Sequence, residues 1–135
     1  MVKKIFAVLG DYYHDQDLAV KSLEKAIEKL KVEITYLPVD DLVARLDEQP
    51  DLVILFAENR LNPEDENVET WMTRKEASLI ENYVSNGGSW LAWHSGLASY
   101  ENIDQYITML RGYFLTHPDK HQVVKYTLDL NATFP

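Results

Sequence analysis

Apolar residues recur along the chain in short blocks that polar residues separate. Residues 5–9 and 52–56 contain no polar position at all, and residues 32–39 and 89–93 are largely apolar. An uninterrupted apolar run of this length is typical of a strand covered on both faces, as in a parallel sheet. We therefore predict strands over these four blocks.

Helical spacing of apolar residues separates the predicted strands. Asp15 or Asp17 can cap a first helix, Thr73 and Glu76 form a capping box before a second, and residues 86–88, Asn-Gly-Gly, end it. The apolar residues at helical spacing are Leu23, Ala26, Ile27 and Leu30 in a first predicted helix, Ala77, Ile80, Tyr83 and Val84 in a second, and Ile103, Ile107 and Leu110 in a third. Strands that alternate with helices predict an α/β fold with a mostly parallel, doubly wound sheet.

Two segments depart from this alternation. Residues 59–71 form a polar loop that is long for a connection between a strand and a helix. Loops of this length are either functional or solvated insertions, and the sequence leaves both readings open. Residues 122–130 alternate apolar with polar positions, which predicts a strand with one face in solvent.

Composition and charge exclude several classes of protein. The 135 residues, 46% of them hydrophobic and 26% charged, suffice for one domain over 1–135. The chain has no cysteine, which excludes disulfides, thiolate metal sites and cysteine-dependent hydrolases, glutaminases included. A net charge of −9 disfavours nucleic acid and anionic membranes as partners. The apolar run at 5–9 is too short for a signal peptide or a membrane span, so we expect a cytoplasmic protein.

Polar and titratable residues follow three of the predicted strands. In a parallel sheet, ligands bind where the strands end at their carboxyl edge, near the point at which strand order reverses. The candidate residues at that edge are Asp11, Tyr12, Tyr13 and His14 after the first strand, Glu58 and Asn59 after the third, and His94, Ser95 and Gly96 after the fourth. The segment from 111 to 121 adds His117 and His121. All four histidines are thus expected near one edge.

The residues at this edge argue against a nucleotide cofactor and against a serine nucleophile. The first turn, GDYYHD, lacks the glycine-rich loop that a dinucleotide or flavin phosphate requires, so no such cofactor is expected. Around Ser95 the glycines of a nucleophile elbow are missing, and only Gly96 fits if His94 is the centre. Ser95 is therefore interpreted as a helix N-cap rather than as a nucleophile.

A divalent metal is an alternative occupant of the same edge. His117 and His121 are four residues apart, a spacing that suits metal binding on a helix, but Pro118 disfavours a helix there. Histidines 14, 94, 117 and 121 together with Asp11 and Glu58 provide the nitrogen and oxygen ligands from which such a site could form.

The motifs GDYYH, AEN, NGGSWLAWHSGLASY and GYFLTHPDKH together resemble the ThuA-like family, which is associated with trehalose utilisation. The resemblance covers nearly the whole chain. It implies a flavodoxin-like, three-layer sandwich of the class I glutamine amidotransferase type. It further implies a pocket built around His94 and the loop carrying Gly112, His117 and Pro118. Domains of that family are longer, so we expect this chain to be C-terminally shortened. Apolar surface near residues 123–134 is then either exposed or covered by a partner, as in a homodimer.

These observations lead to two functional hypotheses. In the first, the protein binds a sugar or sugar derivative and carries out hydrolase-type or acid/base chemistry. His94 is then the general acid or base, and Asp11 or Glu58 orients it or a bound water. Tyr12, His14, Asn59, Ser95, Gly96, Gly112, His117 and His121 contribute to ligand binding. In the second, the chain is a non-catalytic small-molecule-binding or assembly module with the same fold.

Overall fold

The chain alternates strands with helices around one parallel sheet. A computed structural model describes residues 1–117, 123, 125, 127 and 131. Its elements are β1 (Lys3–Leu9), α1 (Gln16–Ile27), β2 (Val32–Tyr36), α2 (Val39–Leu42), β3 (Leu52–Phe56), α3 (Arg74–Ser85), β4 (Ser89–Ala92) and α4 (Asp104–Leu110), with 3₁₀ helices at Val43–Glu48 and His94–Leu97. The strand order is β2-β1-β3-β4, and every neighbouring pair is parallel. The prediction of an α/β fold with a parallel sheet is confirmed.

Helices cover both faces of the sheet. On one face, α2, α3 and α4 bury residues such as Leu42, Ile80 and Tyr106 against alternate positions of β1 and β3. On the other face, α1 packs Ala19 and Leu23 against the remaining positions of the same two strands. Because both faces are covered, β1 and β3 must be apolar at every buried position, which explains their uninterrupted pattern.

The predicted helix starts are confirmed by their hydrogen bonds. The Asp15 side chain accepts from the Leu18 N–H at 2.9 Å, so Asp15 caps α1. Thr73 and Glu76 form the reciprocal capping box at the start of α3. Both caps satisfy N–H groups that the first helical turn leaves without partners.

Two predicted boundaries and one predicted cap are wrong. The second strand ends at Tyr36 rather than at 39, because Pro38 has no N–H to donate to a ladder and instead stands directly before α2. The fourth strand ends at Ala92, one residue early. Ser95 lies inside the 3₁₀ helix, which begins at His94 after Trp93, so Ser95 is not an N-cap.

The predicted strand over 122–130 and the predicted dimer surface over 123–134 fall largely outside the described residues. Val123, one of the residues that the structure describes there, is fully exposed. In the described part of the chain, none of the helices has the length and apolar character that crossing a lipid bilayer requires.

Candidate functional site

The carboxyl ends of β1, β3 and β4 lie at one edge of the sheet, as predicted. Leu9 pairs with Phe56 and Leu55 pairs with Ala92, so the three strands end at nearly the same level. Strand order reverses between β1 and β3, and a cleft of about 550 Å³ opens beside this point. Asp11, His14 and Glu58 line it.

A tight turn after β1 brings His14 back beside Asp11. Gly10, at a φ of 94°, donates its N–H to the Phe56 carbonyl at 2.8 Å and so ties the turn to the end of β3. Asp11 and His14 exchange backbone hydrogen bonds, each at 3.2 Å. The Asp11 carboxylate also accepts the N–H groups of Tyr13 and His14, at 3.0 and 3.1 Å. The turn therefore fixes the His14 ring against this carboxylate.

The Asp11 carboxylate makes several polar contacts at the carboxyl edge of the sheet, and only 5% of its side chain is exposed. One oxygen lies 2.6 Å from His14 Nδ1, and the other accepts the Glu58 N–H at 3.0 Å. The Ser95 hydroxyl faces the same carboxylate without reaching hydrogen-bond geometry, and its dipole favours the charged form. Burial raises the pKa of Asp11, but Ser95, His14 and the Glu58 N–H together outweigh it, and the pKa lies below its ordinary value.

His14 connects Asp11 to His94. The two Nε2 atoms lie 3.1 Å apart, and the rings meet edge to face with their centroids 4.9 Å apart. Phe56, the last residue of β3, packs against both rings at centroid distances of 5.1 and 5.4 Å. Partial desolvation lowers the pKa of His94, the neighbouring His14 lowers it further, and the charge of Asp11 opposes both. The balance of these effects lowers the pKa of His94 and favours its neutral form.

Glu58 is buried, and its carboxylate supports the loop after β4 rather than facing His94. Its Oε2 accepts from Arg60 Nε and from Ser99 Oγ, both at 2.8 Å. Ser99 has a φ of 64°, a left-handed conformation that this bond helps to hold. Within the described residues, Glu58 Oε1 has no hydrogen-bond partner. The geometry thus places Asp11, and not Glu58, in the position that orients a histidine.

Asn59 is 3% exposed and connects the 59–71 loop to the segment after His94. Its carboxamide oxygen accepts the Met72 N–H at 2.9 Å, which closes the base of the 59–71 loop. Its own N–H donates to the Ala98 carbonyl at 3.2 Å and so links that loop to the segment after His94. These contacts give Asn59 a supporting position beneath the site.

The other predicted ligand-binding residues occupy varied positions. Tyr12 lines the cleft, and its hydroxyl donates to Glu64 at 3.1 Å. Gly112 lies in the loop after α4. This loop is attached to the end of the 3₁₀ helix at His94–Leu97, since the Phe114 N–H donates to the Leu97 carbonyl at 2.9 Å. The His117 ring lies 6.1 Å from that of Phe114. Pro118 and His121 lie outside the described residues.

The described residues offer no assembled metal site. Among them, no group of three or more histidine or carboxylate side chains is placed to hold a metal ion. His14 and His94 present two nitrogens side by side, but Asp11 is already bonded to His14.

Three residues of the edge were missed by the sequence reasoning. Phe56 was counted only as strand, Arg60 only as loop, and Ser99 was not singled out. Arg60 follows directly on Glu58 and Asn59, and its charge beside a strand-end carboxylate is a signal that could have identified it. Phe56 and Ser99 carry no such signal, because their roles depend on contacts between distant segments.

Comparisons with protein-family models, with curated proteins and with solved structures find no match to this chain. The function proposed below therefore stands on the geometry of the site and on the motifs of the sequence.

Proposed function

We propose that the chain is a ThuA-like protein of carbohydrate metabolism that binds a sugar-type ligand at the carboxyl edge of its sheet and acts on it through His94. The fold proposed with it is the flavodoxin-like sandwich of class I glutamine amidotransferases, whose parallel sheet and two-sided helix packing agree with the elements described above. The observation that carries the proposal is the continuous contact from Asp11 through His14 to His94.

The contacts between Asp11, His14 and His94 indicate which nitrogen of each histidine carries a proton. Asp11 is ionised, so His14 donates its Nδ1 proton to it and keeps a lone pair at Nε2. His94 then donates from Nε2 to His14 Nε2, which leaves the lone pair of His94 at Nδ1. In the described part of the chain Nδ1 makes no hydrogen bond, so His94 presents a base to the solvent side. When His94 takes up a proton, the charge is shared towards His14 and Asp11.

A hydroxyl-rich, uncharged ligand suits the adjoining cleft. Asp11 and Glu58 line it, and the chain carries a net charge of −9, so an anionic ligand is disfavoured. Tyr12 and Tyr36 also line it and are exposed, which provides aromatic surface for stacking on a sugar ring.

Calorimetric titration tests the proposal. The native chain is titrated at pH 7.5 with trehalose and with a keto derivative of trehalose, once with a chelator and once with added Zn²⁺. We expect saturable heat with at least one sugar in the chelator and a change in affinity or turnover in His94→Gln. Lys3→Gln, at the opposite edge of the sheet, is the matched control and should bind as the native chain does. Absence of binding to either sugar contradicts the sugar proposal.

A second candidate function, a non-catalytic binding module, is favoured by one observation. Both oxygens of Asp11 and one of Glu58 accept internal hydrogen bonds, so these carboxylates already support the fold. Such a module predicts that His94→Gln binds sugar as tightly as the native chain and that neither converts it.

A further inference from the structure

The turn that follows β4 has the backbone of a nucleophile elbow with a histidine at its apex. His94 is the first residue of the 3₁₀ helix that follows β4, and it has a φ of 49°, a left-handed conformation that a non-glycine residue rarely adopts. Residues that present a nucleophile at a strand-to-helix turn share this strained geometry. His94 is also exposed, so the apex is accessible.

Gly96 provides the close packing that such a turn requires. A Cβ at Gly96 would lie 2.2 Å from the Leu55 carbonyl oxygen, so only glycine fits two residues after the apex. On the other side, Ala92 replaces the second glycine with a small residue. Ser95, in contrast, is buried and lies off the apex, so its hydroxyl is not the group that the turn presents.

The groups around His94 follow the order of a catalytic triad, with the difference that His14 contacts Nε2 of His94 rather than the proposed nucleophile Nδ1. A triad joins a nucleophile to a histidine and that histidine to a carboxylate, and here His94, His14 and Asp11 stand in that order. The N–H of the residue after the apex is the usual first donor to an oxyanion. Within residues 1–117, the Ser95 N–H donates to no acceptor, so it is open to such a role.

We propose that Nδ1 of His94 is a covalent nucleophile that takes the acyl group of an uncharged carboxylic ester. That the alcohol part of the ester is a sugar rests on the function proposed above, whereas the acyl transfer itself does not. The lowered pKa of His94 keeps the imidazole neutral and therefore nucleophilic at neutral pH.

The proposed step balances as follows. The Nδ1 lone pair forms a bond to the ester carbonyl carbon, and the C–O bond to the alcohol breaks. The Nε2 proton of His94 moves to His14 and is released from there to solvent, while a solvent proton reaches the departing alkoxide, which leaves a neutral acyl-imidazole. Water then attacks the same carbon, the carboxylic acid leaves, and a proton returns to Nε2. The net reaction is hydrolysis of the ester by one water.

The charges at this edge favour an ester over a phosphate. Asp11 and Glu58 lie at the strand ends that flank the cleft, and a phosphoryl group would bring one to two further negative charges beside them. A carboxylic ester is neutral, and its transition state develops a single negative charge on one oxygen.

p-Nitrophenyl acetate tests the nucleophile directly, because it carries no sugar. With the native chain at pH 7.5 we expect nitrophenolate release about 100-fold faster than with equimolar N-acetylhistidine, the size of effect that an oriented donor provides. His94→Gln should fall to the background, and Lys3→Gln should not. A native rate equal to that of N-acetylhistidine, or a rate that survives His94→Gln in the folded protein, overturns the proposal.

A second variant keeps the test decisive if His94→Gln does not fold. Since the chain has no cysteine, His94→Cys carries a single thiol at the apex. We expect p-nitrophenyl acetate to acetylate it, with a gain of one acetyl group by mass, at least about 10-fold faster than Lys3→Cys at the opposite edge. Equal rates for the two thiols overturn the elbow. Acyl transfer without sugar binding contradicts only the function proposed earlier, and sugar binding without acyl transfer contradicts only this inference.

Discussion

Two clefts of about 550 Å³ lie at opposite ends of the same sheet, and their chemistry differs. At the amino end, the polar contacts are exposed: Lys3 pairs with Asp51 at 2.6 Å, and Asp51 also accepts the Lys4 N–H. At the carboxyl end, the Asp11 and Glu58 carboxylates are buried, whereas left-handed residues occur at both ends, Gln49 at the amino end and His94 and Ser99 at the carboxyl end. Volume alone does not distinguish the two clefts. Buried carboxylates do, because burying a charged group is costly unless the surrounding fold compensates.

The largest effect is expected from adding one methyl group at the carboxyl end. In Gly96→Ala the new Cβ meets the Leu55 carbonyl at 2.2 Å, and this backbone of β3 cannot yield, so we expect a loss of about 3 kcal/mol. Gly87→Ala at the amino end meets nothing within 4 Å and has only its φ of 100° against it, which costs about 1 kcal/mol. Urea unfolding measures both. Equal losses would show that the turn after β4 is no tighter than the amino end.

Asp11→Asn should have the next largest effect. The carboxamide cannot accept at both ends, so it leaves either His14 Nδ1 or the Glu58 N–H without its acceptor, and we expect a loss of about 2 kcal/mol. Asp51→Asn changes the same chemistry at the amino end, where solvent replaces the lost contacts, and its loss should be clearly smaller. Thermal and urea unfolding measure the stability of both variants. A larger loss in Asp51→Asn than in Asp11→Asn would contradict the prediction that the buried carboxylate contributes more.

A smaller difference is expected between two arginine–glutamate pairs. Arg60→Gln removes the positive charge beside the buried Glu58, and we expect a loss of about 1 kcal/mol because Arg60 itself is partly in water. The Arg45–Glu48 pair is exposed, and Arg45→Gln should leave stability nearly unchanged. If Arg45→Gln is the more damaging, burial of Glu58 is not what makes its pair important.

The smallest effect concerns pH. The pKa of His94 is lowered on folding, so the unfolded chain binds this proton more readily, and stability falls as pH drops below about 6.5. The charged and titratable neighbours that set this shift are His14, which lowers it, and Asp11, which opposes it. Asp11 itself contributes a second loss only near and below its ordinary pKa of 3.8.

His94→Gln should remove the first of these losses and keep the second. Urea midpoints between pH 8 and pH 3 measure both losses in the native chain and in the variant. A slope that is the same in the native chain and the variant would assign the loss to another group.

The sequence predicted the fold better than the site. The strands predicted at 5–9 and 52–56 are confirmed nearly residue for residue. A strand buried on both faces is apolar throughout, and such a run can be recognised without knowing which segments cover it. Asp15 and the box of Thr73 and Glu76 are likewise local signals, since each cap bonds within its own helical turn.

The arrangement within the site was beyond a local reading. The sequence offered Asp11 and Glu58 equally as partners of His94. In the structure the Asp11 carboxylate contacts His14 Nδ1, and the Glu58 carboxylate accepts hydrogen bonds from Arg60 and Ser99. Ser95 was interpreted as a cap because serine commonly is one. The helix is capped two residues earlier than predicted, at Trp93, and the left-handed conformation of His94 within it is a backbone angle that no pattern of side chains reports.

Phe56 lies close enough to His14 and His94 to shift the NMR signals of both imidazole rings. Its ring lies within 5.4 Å of both imidazoles, and the ring of Trp93, the residue before His94, lies 4.8 Å from that of Phe56. Ring currents from these aromatics displace the imidazole carbon-bound proton signals from their usual positions. Each histidine therefore carries its own chemical-shift label, and occupation of the neighbouring cleft can be followed at both rings in one spectrum without any attached probe.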